Sequence, residues 1–164
     1  MSPRAAWRLE ALGFAQVYDY VAGKTDWFAC GLPREGASAT VPWVGDLLLG
    51  GAVTCRLGAR LGDVRELASA SDLDFCVVVN DERVVAGMLR GDALAKDANT
   101  RVEDVMELGP RTIRPNKPVE DLLRRRSSQG VKSWIVTTSH GELLGVVTRT
   151  KTELALEQKG AQQP

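Results

Sequence analysis

Histidine is almost absent from this 164-residue chain, since His140 is the only one. The three cysteines are Cys30, Cys55 and Cys76; they are odd in number and widely spaced, and no CxxC pair or histidine cluster accompanies them. A disulfide framework needs an even set of cysteines, and a zinc site needs such a pair or cluster. The sequence therefore predicts three reduced thiols and no metal site.

The chain also lacks an excess of charge of one sign, because 21 Lys and Arg residues balance 21 Asp and Glu residues. Without a net positive field, general affinity for nucleic acid or anionic membranes is not expected. The longest apolar runs fall far short of the roughly 20 residues that a membrane-spanning helix needs. The first ten residues lack the apolar stretch of a signal peptide. These absences predict a cytoplasmic protein with no nucleic-acid or membrane partner.

What the chain does contain is an internal repeat, which appears when the sequence is aligned with itself at an offset of 58 residues. Residues 44–94 then align with residues 102–152 without a gap, and eight positions are identical, beginning with Val44 and Val102. Apolar character also recurs at matched positions, for example Cys55 and Ile113. A repeat in both identity and apolar pattern predicts two copies of one structural unit.

Each copy has the pattern of a β-α-β-β-α unit. The second copy contains the strand TIRP, the helix PVEDLLRRRSSQG, the strand pair SWIVTT and LLGVVTR, and the helix TKTELALEQK. The first copy repeats this order with TCRL, LGDVRELASA, FCVVVN, VVAGMLR and GDALAK. Three short strands give too little core for independent stability, so the copies are expected to cover each other. This predicts an α/β (α+β) fold with a pseudo-two-fold axis and a ligand cleft between the sheets.

The VEDVM lead-in at residues 102–106, the TIRPNKPVEDLL segment and the hairpin ending in GVVTRT resemble the CBS domain family. The resemblance covers about two thirds of the chain, with repeats at residues 44–97 and 102–157 after a linker at residues 37–43. Tandem CBS domains are regulatory modules that typically bind AMP, ADP, ATP or S-adenosylmethionine between their repeats, and two pairs commonly join through their helices. The resemblance therefore implies a non-enzymatic homodimer that needs no cofactor and binds an adenosine-type ligand.

The same resemblance places candidate ligand-binding residues near the strand ends. Nucleotide-binding members often end the third strand with Gly, two apolar residues and Thr or Ser, followed three residues later by a ribose-binding Asp. In the second copy Thr148 fits, but Lys151 stands at the Asp position; in the first copy Arg90 replaces the Thr and Asp92 lies one residue early. An ammonium only donates hydrogen bonds, so Lys151 is instead a candidate phosphate contact. The full candidate set is Cys55, Arg90, Asp92, Ile113, Arg114, Ser133, Trp134, Thr148, Arg149, Thr150 and Lys151.

Two alternatives stay open for these residues. Thr148 to Lys151 lead into a helix whose first N–H groups are unpaired, which favours an anion there, but the same residues could simply cap the helix. Trp134 could stack on an adenine ring or fill the core. A second hypothesis for the whole chain is accordingly a ligand-free dimerisation or structural module whose sites have decayed.

Residues 1–36 have a different pattern, with SPRAAWRLEALG as a helix, QVYDYV as a strand and GKTDWFACG as a short helix. This segment resembles the C-terminal end of a rhodanese domain, through Trp27 and the GLP sequence at residues 31–33. The catalytic cysteine of that family would stand upstream of Met1, and Cys30 lacks the anion-cradling loop that would activate it. A sulfurtransferase-related protein that lacks its catalytic cysteine is therefore a less favoured third hypothesis.

Overall fold

The computed structural model describes residues 2–48, 51–69, 71, 73, 75–124 and 130–161. None of the helices within these ranges is long and apolar enough to cross a membrane. The helices are α1 (Ser2–Ala11), α2 (Gly23–Ala29), α3 (Leu61–Ser69), α4 (Asp92–Ala95), α5 (Val119–Arg124) and α6 (Arg149–Ala161). The strands are β1 (Thr54–Arg56), β2 (Phe75–Val79), β3 (Val85–Arg90), β4 (Glu107–Leu108), β5 (Thr112–Ile113), β6 (Ser133–Thr137) and β7 (Leu143–Thr148).

Both copies adopt the predicted β-α-β-β-α order, and each builds its own small sheet. In the first sheet β1 lies parallel to β2 and β3 antiparallel to β2; in the second sheet β5, β6 and β7 repeat that arrangement. The register shifts once in each hairpin, after Val78 and after Val136, which are equivalent at the 58-residue offset. The repeat seen in the sequence is therefore a repeat of backbone geometry as well.

Strand β4 was not predicted from the sequence. It pairs antiparallel with β3, with Gly87 opposite Leu108, so the first sheet has four strands in the order β1-β2-β3-β4. Glu107 and Leu108 are both exposed, and a two-residue segment shows no alternating apolar pattern from which a strand could be recognised. The strand places Glu107, which belongs to the second copy by sequence, on the sheet of the first.

The segments that precede the two copies are exchanged between them. Each contains a short 3-10 helix, the first lead-in helix (Val44–Leu47) and the second lead-in helix (Val102–Asp104). The Val44 N–H donates to Lys117 O at 2.9 Å in the second copy, and the Val102 N–H donates to Ala59 O at 3.0 Å in the first. The two bonds are equivalent at the 58-residue offset, so each copy is completed by the lead-in helix of the other.

Most of the buried apolar side chains in the described ranges form three clusters, one on the outer face of each sheet and one between the sheets. Val102 lies in the outer cluster of the first copy and Val44 in that of the second, and both are fully buried. The central cluster joins the inner faces of the sheets and consists of Phe75, Val77, Val79, Met88, Ile135, Leu143 and Val146. Strand β2 is buried on both faces, which explains its unbroken apolar sequence FCVVV.

A pseudo-two-fold axis passes between Val84 and Glu142, which form an isolated antiparallel bridge. These residues are 58 positions apart, so each is the repeat equivalent of the other. The Val85 N–H donates to Gly141 O at 3.0 Å, and the Leu143 N–H donates to Arg83 O at 2.9 Å, which is the same bond after exchange of the copies. The predicted pseudo-symmetric pairing is therefore present.

The N-terminal segment differs from the prediction in one respect, because QVYDYV forms no strand. Residues 16–20 have no regular secondary structure, and Tyr18 and Val21 are 85% and 92% exposed. A strand needs a neighbouring strand to pair its N–H and C=O groups, and no strand in the described part of the chain lies beside this one. Helices α1 and α2 do form as expected, so the segment is helix-loop-helix rather than helix-strand-helix.

We predict that Gly45→Ala destabilises the protein by about 1–3 kcal/mol, the usual range for an overpacked site. A Cβ atom at Gly45 would lie 2.6 Å from the backbone oxygen of Phe28 and 3.2 Å from the Pro115 Cβ. The measurement is chemical denaturation followed by circular dichroism. The control is Gly62→Ala in α3, where the new Cβ would meet only ordinary contact at 3.4 Å. Equal stability of the two variants would contradict the close packing of Gly45.

Candidate functional site

A cleft of about 700 Å³ opens between the two sheets, at the starts of β5 and β6. It receives residues from both copies, since β2 and β3 supply one wall and the second sheet supplies the other. The lining residues are Phe75, Met88, Arg90, Glu107, Arg111, Thr112, Ile113, Leu122, Gly130, Val131, Lys132, Ser133, Trp134 and Ile135. The volume is within the range of about 300–1,000 Å³ that is usual for small-molecule sites.

The apolar surface of the cleft reaches both faces of the second sheet. Ile135 belongs to the central cluster with Phe75 and Met88, whereas Trp134 and Leu122 belong to the outer cluster of the second copy. Adjacent residues of a strand point to opposite faces of the sheet, so the first residues of β6 contribute side chains to the cleft from both faces. A flat ring could therefore lie against apolar side chains from two separate clusters.

Among the described residues, four charged side chains line the same cleft, and three of them are cationic. Arg90 ends β3, Arg111 precedes β5 and Lys132 precedes β6, whereas Glu107 is a carboxylate. Arg90 Nε lies 3.8 Å from Glu107 Oε2, and both side chains are 60% exposed, so this ion pair contributes little to stability. The cleft thus combines apolar walls with an excess of positive charge at its rim.

Arg149 lies behind the wall of the cleft and fixes its geometry. Its guanidinium is 5.5 Å from the centre of the Trp134 ring, its Nε donates to Val131 O at 2.9 Å, and its backbone N–H donates to Lys132 O at 2.8 Å. Stacking of a guanidinium on tryptophan is a favourable cation–π contact. Arg149 therefore holds in place the segment that carries Lys132, Ser133 and Trp134.

Residues 102–151 match the family model described as the CBS domain. The chain is similar to a CBS domain pair solved with 5'-methylthioadenosine and S-adenosyl-L-methionine (TM-score 0.60, 16% identity, 73% of this chain and 98% of that one). It is also similar to CBSX2 solved with AMP (TM-score 0.61, 21% identity, 71% and 96%). The chain folds as a CBS domain pair.

A curated relative of the CBS pair is an L-aspartate semialdehyde sulfurtransferase from Methanosarcina acetivorans. The two are 28% identical over 127 residues, which are 71% of this chain and 25% of the relative. This chain therefore spans about a quarter of the length of that enzyme. The resemblance of residues 1–36 to the end of a rhodanese domain stays a prediction.

Four of the predicted ligand-binding residues meet in the cleft of the CBS pair. Ile113, Ser133 and Trp134 come from the second copy, and Arg90 comes from the first. Ser133 is the register partner of Thr148, and Phe75 is the register partner of Arg90, so the two strand ends are equivalent in the repeat. The strand ends indicated by the repeat therefore lie at this cleft, and their role in binding stays a prediction.

Thr148, the last residue of β7, caps helix α6, and neither it nor Thr150 or Lys151 is among the residues that line the cleft. Thr148 Oγ1 accepts a hydrogen bond from the Lys151 N–H at 3.4 Å, which is the position of a typical N-cap contact. Thr150 and Lys151 are exposed on the first turn of α6. Of the two alternatives, capping therefore describes Thr148 in this structure. The phosphate contact of Lys151 stays a prediction, and Lys151 is not among the residues that line the cleft.

Three further candidates lie away from the cleft. Cys55 is buried in the outer cluster of the first copy. Arg114 follows β5 at the end farther from Ser133, where its Nη1 donates to Thr137 Oγ1. Asp92 is exposed on α4. Each had been selected by repeat position or motif spacing, and neither criterion reports which face of a sheet or helix a side chain occupies.

Several cleft residues were missed by the sequence analysis, among them Phe75, Glu107, Arg111 and Lys132. One signal was available, because the 58-residue offset makes Phe75 the equivalent of the candidate Ser133. Glu107 reaches the cleft only through β4, which the sequence did not indicate. Arg111 and Lys132 immediately precede strands β5 and β6, positions that the family motif does not mark.

The thiols of Cys55 and Cys76 are in contact within the first copy, on adjacent strands β1 and β2. The hydrogen-bonding contact with Cys55, and then burial, raise the pKa of the Cys76 thiol far above its ordinary value. The thiolate is the reactive form, so we expect Cys76 to resist oxidation and alkylation in the folded protein. Cys30, in contrast, is exposed.

We predict that only Cys30 reacts rapidly with a thiol reagent such as Ellman's reagent in the native protein. Cys55 and Cys76 should react only after unfolding, because 7% and none of their surfaces are exposed. Counting thiols in buffer and in guanidinium chloride checks this, with Cys30→Ser as the control that should remove the rapid phase. Rapid reaction of a thiol in folded Cys30→Ser would show that the outer cluster of the first copy is accessible to the reagent.

Proposed function

We propose that this CBS pair is a non-enzymatic regulatory module that binds an adenosine-containing ligand in the cleft between its repeats. The observation that carries the proposal is the composition of the cleft, in which both repeats supply apolar walls and the described lining residues include three cationic side chains and one carboxylate. An adenine ring matches the apolar walls near Trp134 and Ile135. A phosphate group matches Arg111 and Arg90, since guanidinium groups bind phosphate through paired donors.

The ligands of the similar structures support this choice of chemistry. One of those CBS pairs holds 5'-methylthioadenosine and S-adenosyl-L-methionine, and another holds AMP, so adenosine is common to all three compounds. The charge of the present cleft favours the anionic compounds AMP, ADP and ATP over S-adenosylmethionine, because the sulfonium of the latter would face Arg90, Arg111 and Lys132.

Binding rather than catalysis is supported by the chemistry of the cleft walls. The described lining residues include no thiol and no imidazole, the groups that most often serve as nucleophile or general base. Outside the cleft, exposed Cys30 donates from Sγ to a carboxylate oxygen of Asp26 at 3.9 Å. Reactive cysteines are usually placed beside cations, so this neighbour argues against a sulfur-transfer role for Cys30.

We predict that AMP binds the protein and that Arg111→Ala weakens its binding by about 5-fold to 100-fold. The expected loss is that of one charge-assisted contact, roughly 1–3 kcal/mol. Isothermal titration calorimetry with AMP, ADP, ATP and S-adenosylmethionine measures the affinities. The matched control is Arg56→Ala, which removes an equally charged, exposed side chain that pairs with Asp81 and lies outside the cleft lining. Its affinity for AMP should equal that of the wild type.

Failure of all four compounds to bind at millimolar concentration would contradict the ligand-binding proposal. It would favour the alternative of a ligand-free dimerisation or structural module. An equal loss in Arg56→Ala and Arg111→Ala would show that the effect is one of overall charge. In that case the binding site would not be the cleft.

We also propose that the pair forms a homodimer through its helices. The supporting observation is that α3 and α6 present leucines to solvent, with Leu67 55% and Leu154 50% exposed. A second copy of the chain would remove both leucines from water. Each Å² of apolar surface buried in this way stabilises the dimer by roughly 25 cal/mol.

We predict a particle of twice 17.8 kDa by light scattering, and its dissociation in Leu67→Glu. A buried carboxylate without a partner opposes association. Leu12→Glu is the control, because Leu12 is 60% exposed but lies in the N-terminal segment, outside the helices of the repeats. A wild-type monomer would contradict the dimer, as would dissociation by both substitutions alike.

A further inference from the structure

The N-terminal arm, defined here as residues 20–36, folds back on itself. The Trp27 Nε1–H donates to Pro33 O at 2.9 Å, and the rings of Tyr20 and Trp27 meet edge to face with centres 5.1 Å apart. The Tyr20 hydroxyl donates to the Asp26 carboxylate. These contacts fix the turn after α2 and thereby the direction of Arg34.

Arg34 joins the arm to the first lead-in helix. Its Nη2 lies 2.9 Å from each carboxylate oxygen of Asp46, and its guanidinium lies 5.0 Å from the centre of the Phe28 ring. The Phe28 ring in turn packs on Trp43, with ring centres 4.5 Å apart. The side chains of Arg34 and Asp46 are only 20% and 30% exposed, so this ion pair is better shielded than the surface pairs of the chain.

Asp46 also organises the lead-in helix itself. Its Oδ2 accepts the Trp43 N–H at 3.0 Å, a contact that closes the first turn. The same helix is bound to the second copy, because the Gly45 N–H donates to Pro115 O at 3.0 Å and the Val119 N–H donates to Pro42 O at 3.0 Å. A change at Arg34 would therefore act on the first lead-in helix, which is hydrogen-bonded to the segment that begins α5.

The first lead-in helix packs behind the wall of the cleft. Val44 is fully buried in one cluster with Leu122 and Trp134, and both of these residues line the cleft. The chain of contact therefore runs from Arg34 through Asp46 and Val44 to Trp134. Packed side chains transmit small shifts because a dense core tolerates little change in volume.

The second lead-in helix provides an internal comparison. Its Asp104, the repeat equivalent of Asp46, is exposed, and within the described ranges it has no ion pair. Val102 packs in the cluster that contains Cys55 and Cys76 rather than in the one behind the cleft. The arm is thus attached to the lead-in helix that supports the cleft.

We propose that Arg34 is a positioning residue for the cleft, which couples docking of the N-terminal arm to occupancy of the ligand site. The inference rests on the proposed function for the identity of the ligand, but its structural part does not. Coupling is reciprocal, so a ligand that tightens the Trp134 wall also strengthens the contact of the arm.

The experiment uses the full chain labelled with 5-fluorotryptophan, whose four tryptophans give separate fluorine NMR signals; Trp134→Phe assigns the signal of interest. Without ligand, Arg34→Ala should shift the signals of both Trp43 and Trp134. Arg34→Lys, which keeps the charge, should leave Trp134 close to the wild-type position. The control Arg56→Ala should move neither signal. A shift of Trp43 with Trp134 unmoved would overturn the proposal.

The second measurement is AMP affinity, which we expect to fall at least about 5-fold in Arg34→Ala, the lower end of usual coupling strengths. Unchanged affinity in a variant whose Trp134 signal has moved would overturn the coupling. If Arg34→Ala does not fold, Asp46→Asn replaces it, because the amide oxygen still accepts the Trp43 N–H while the charge is lost. If AMP does not bind the wild type, the proposed function fails, and the ligand-free NMR comparison still decides whether Arg34 positions Trp134.

Discussion

The exchange of lead-in helices is the constraint on which the rest of the structure depends. Val44 fills the outer core of the second copy and Val102 that of the first, and both are fully buried. Removing either copy would leave the other with a cavity of valine size, in addition to the exposed inner face of its sheet. Neither copy has a complete core alone, so the chain folds as one unit of two interdependent halves, and the cleft between them is a product of that interdependence.

The two halves share the same order of strands and helices but differ in the side chains at several equivalent positions. At the positions where the second copy has Ile113 and Trp134, the first has the contacting thiols of Cys55 and Cys76. The larger side chains help to form the cleft, whereas the smaller ones are enclosed in a core. The halves therefore share their backbone symmetry and differ in the side chains at equivalent positions.

Much of the fold could be predicted from the sequence, because a 58-residue repeat combined with strand and helix periodicity depends on local patterns that the structure preserves. Strand β4 and the loop at residues 16–20 were beyond such reasoning, since a strand is decided by its partner, which lies elsewhere in the chain. At the cleft, the sequence indicated strand ends whose residues Ser133 and Arg90 are among the lining side chains. It could not show that Thr148 caps a helix or that Glu107 reaches the cleft from β4. Those features depend on tertiary packing rather than on spacing.

The most direct test of this account is to follow unfolding separately in each half of one molecule. In a variant with Trp7, Trp27 and Trp43 replaced by Phe, Trp134 fluorescence reports the second copy and pulse alkylation of Cys76 reports the first. Exchange of the lead-in helices predicts that both probes give the same midpoint in guanidinium chloride, as expected for a two-state transition. Two separate midpoints would show that the halves fold independently, which would contradict the interdependence that creates the cleft.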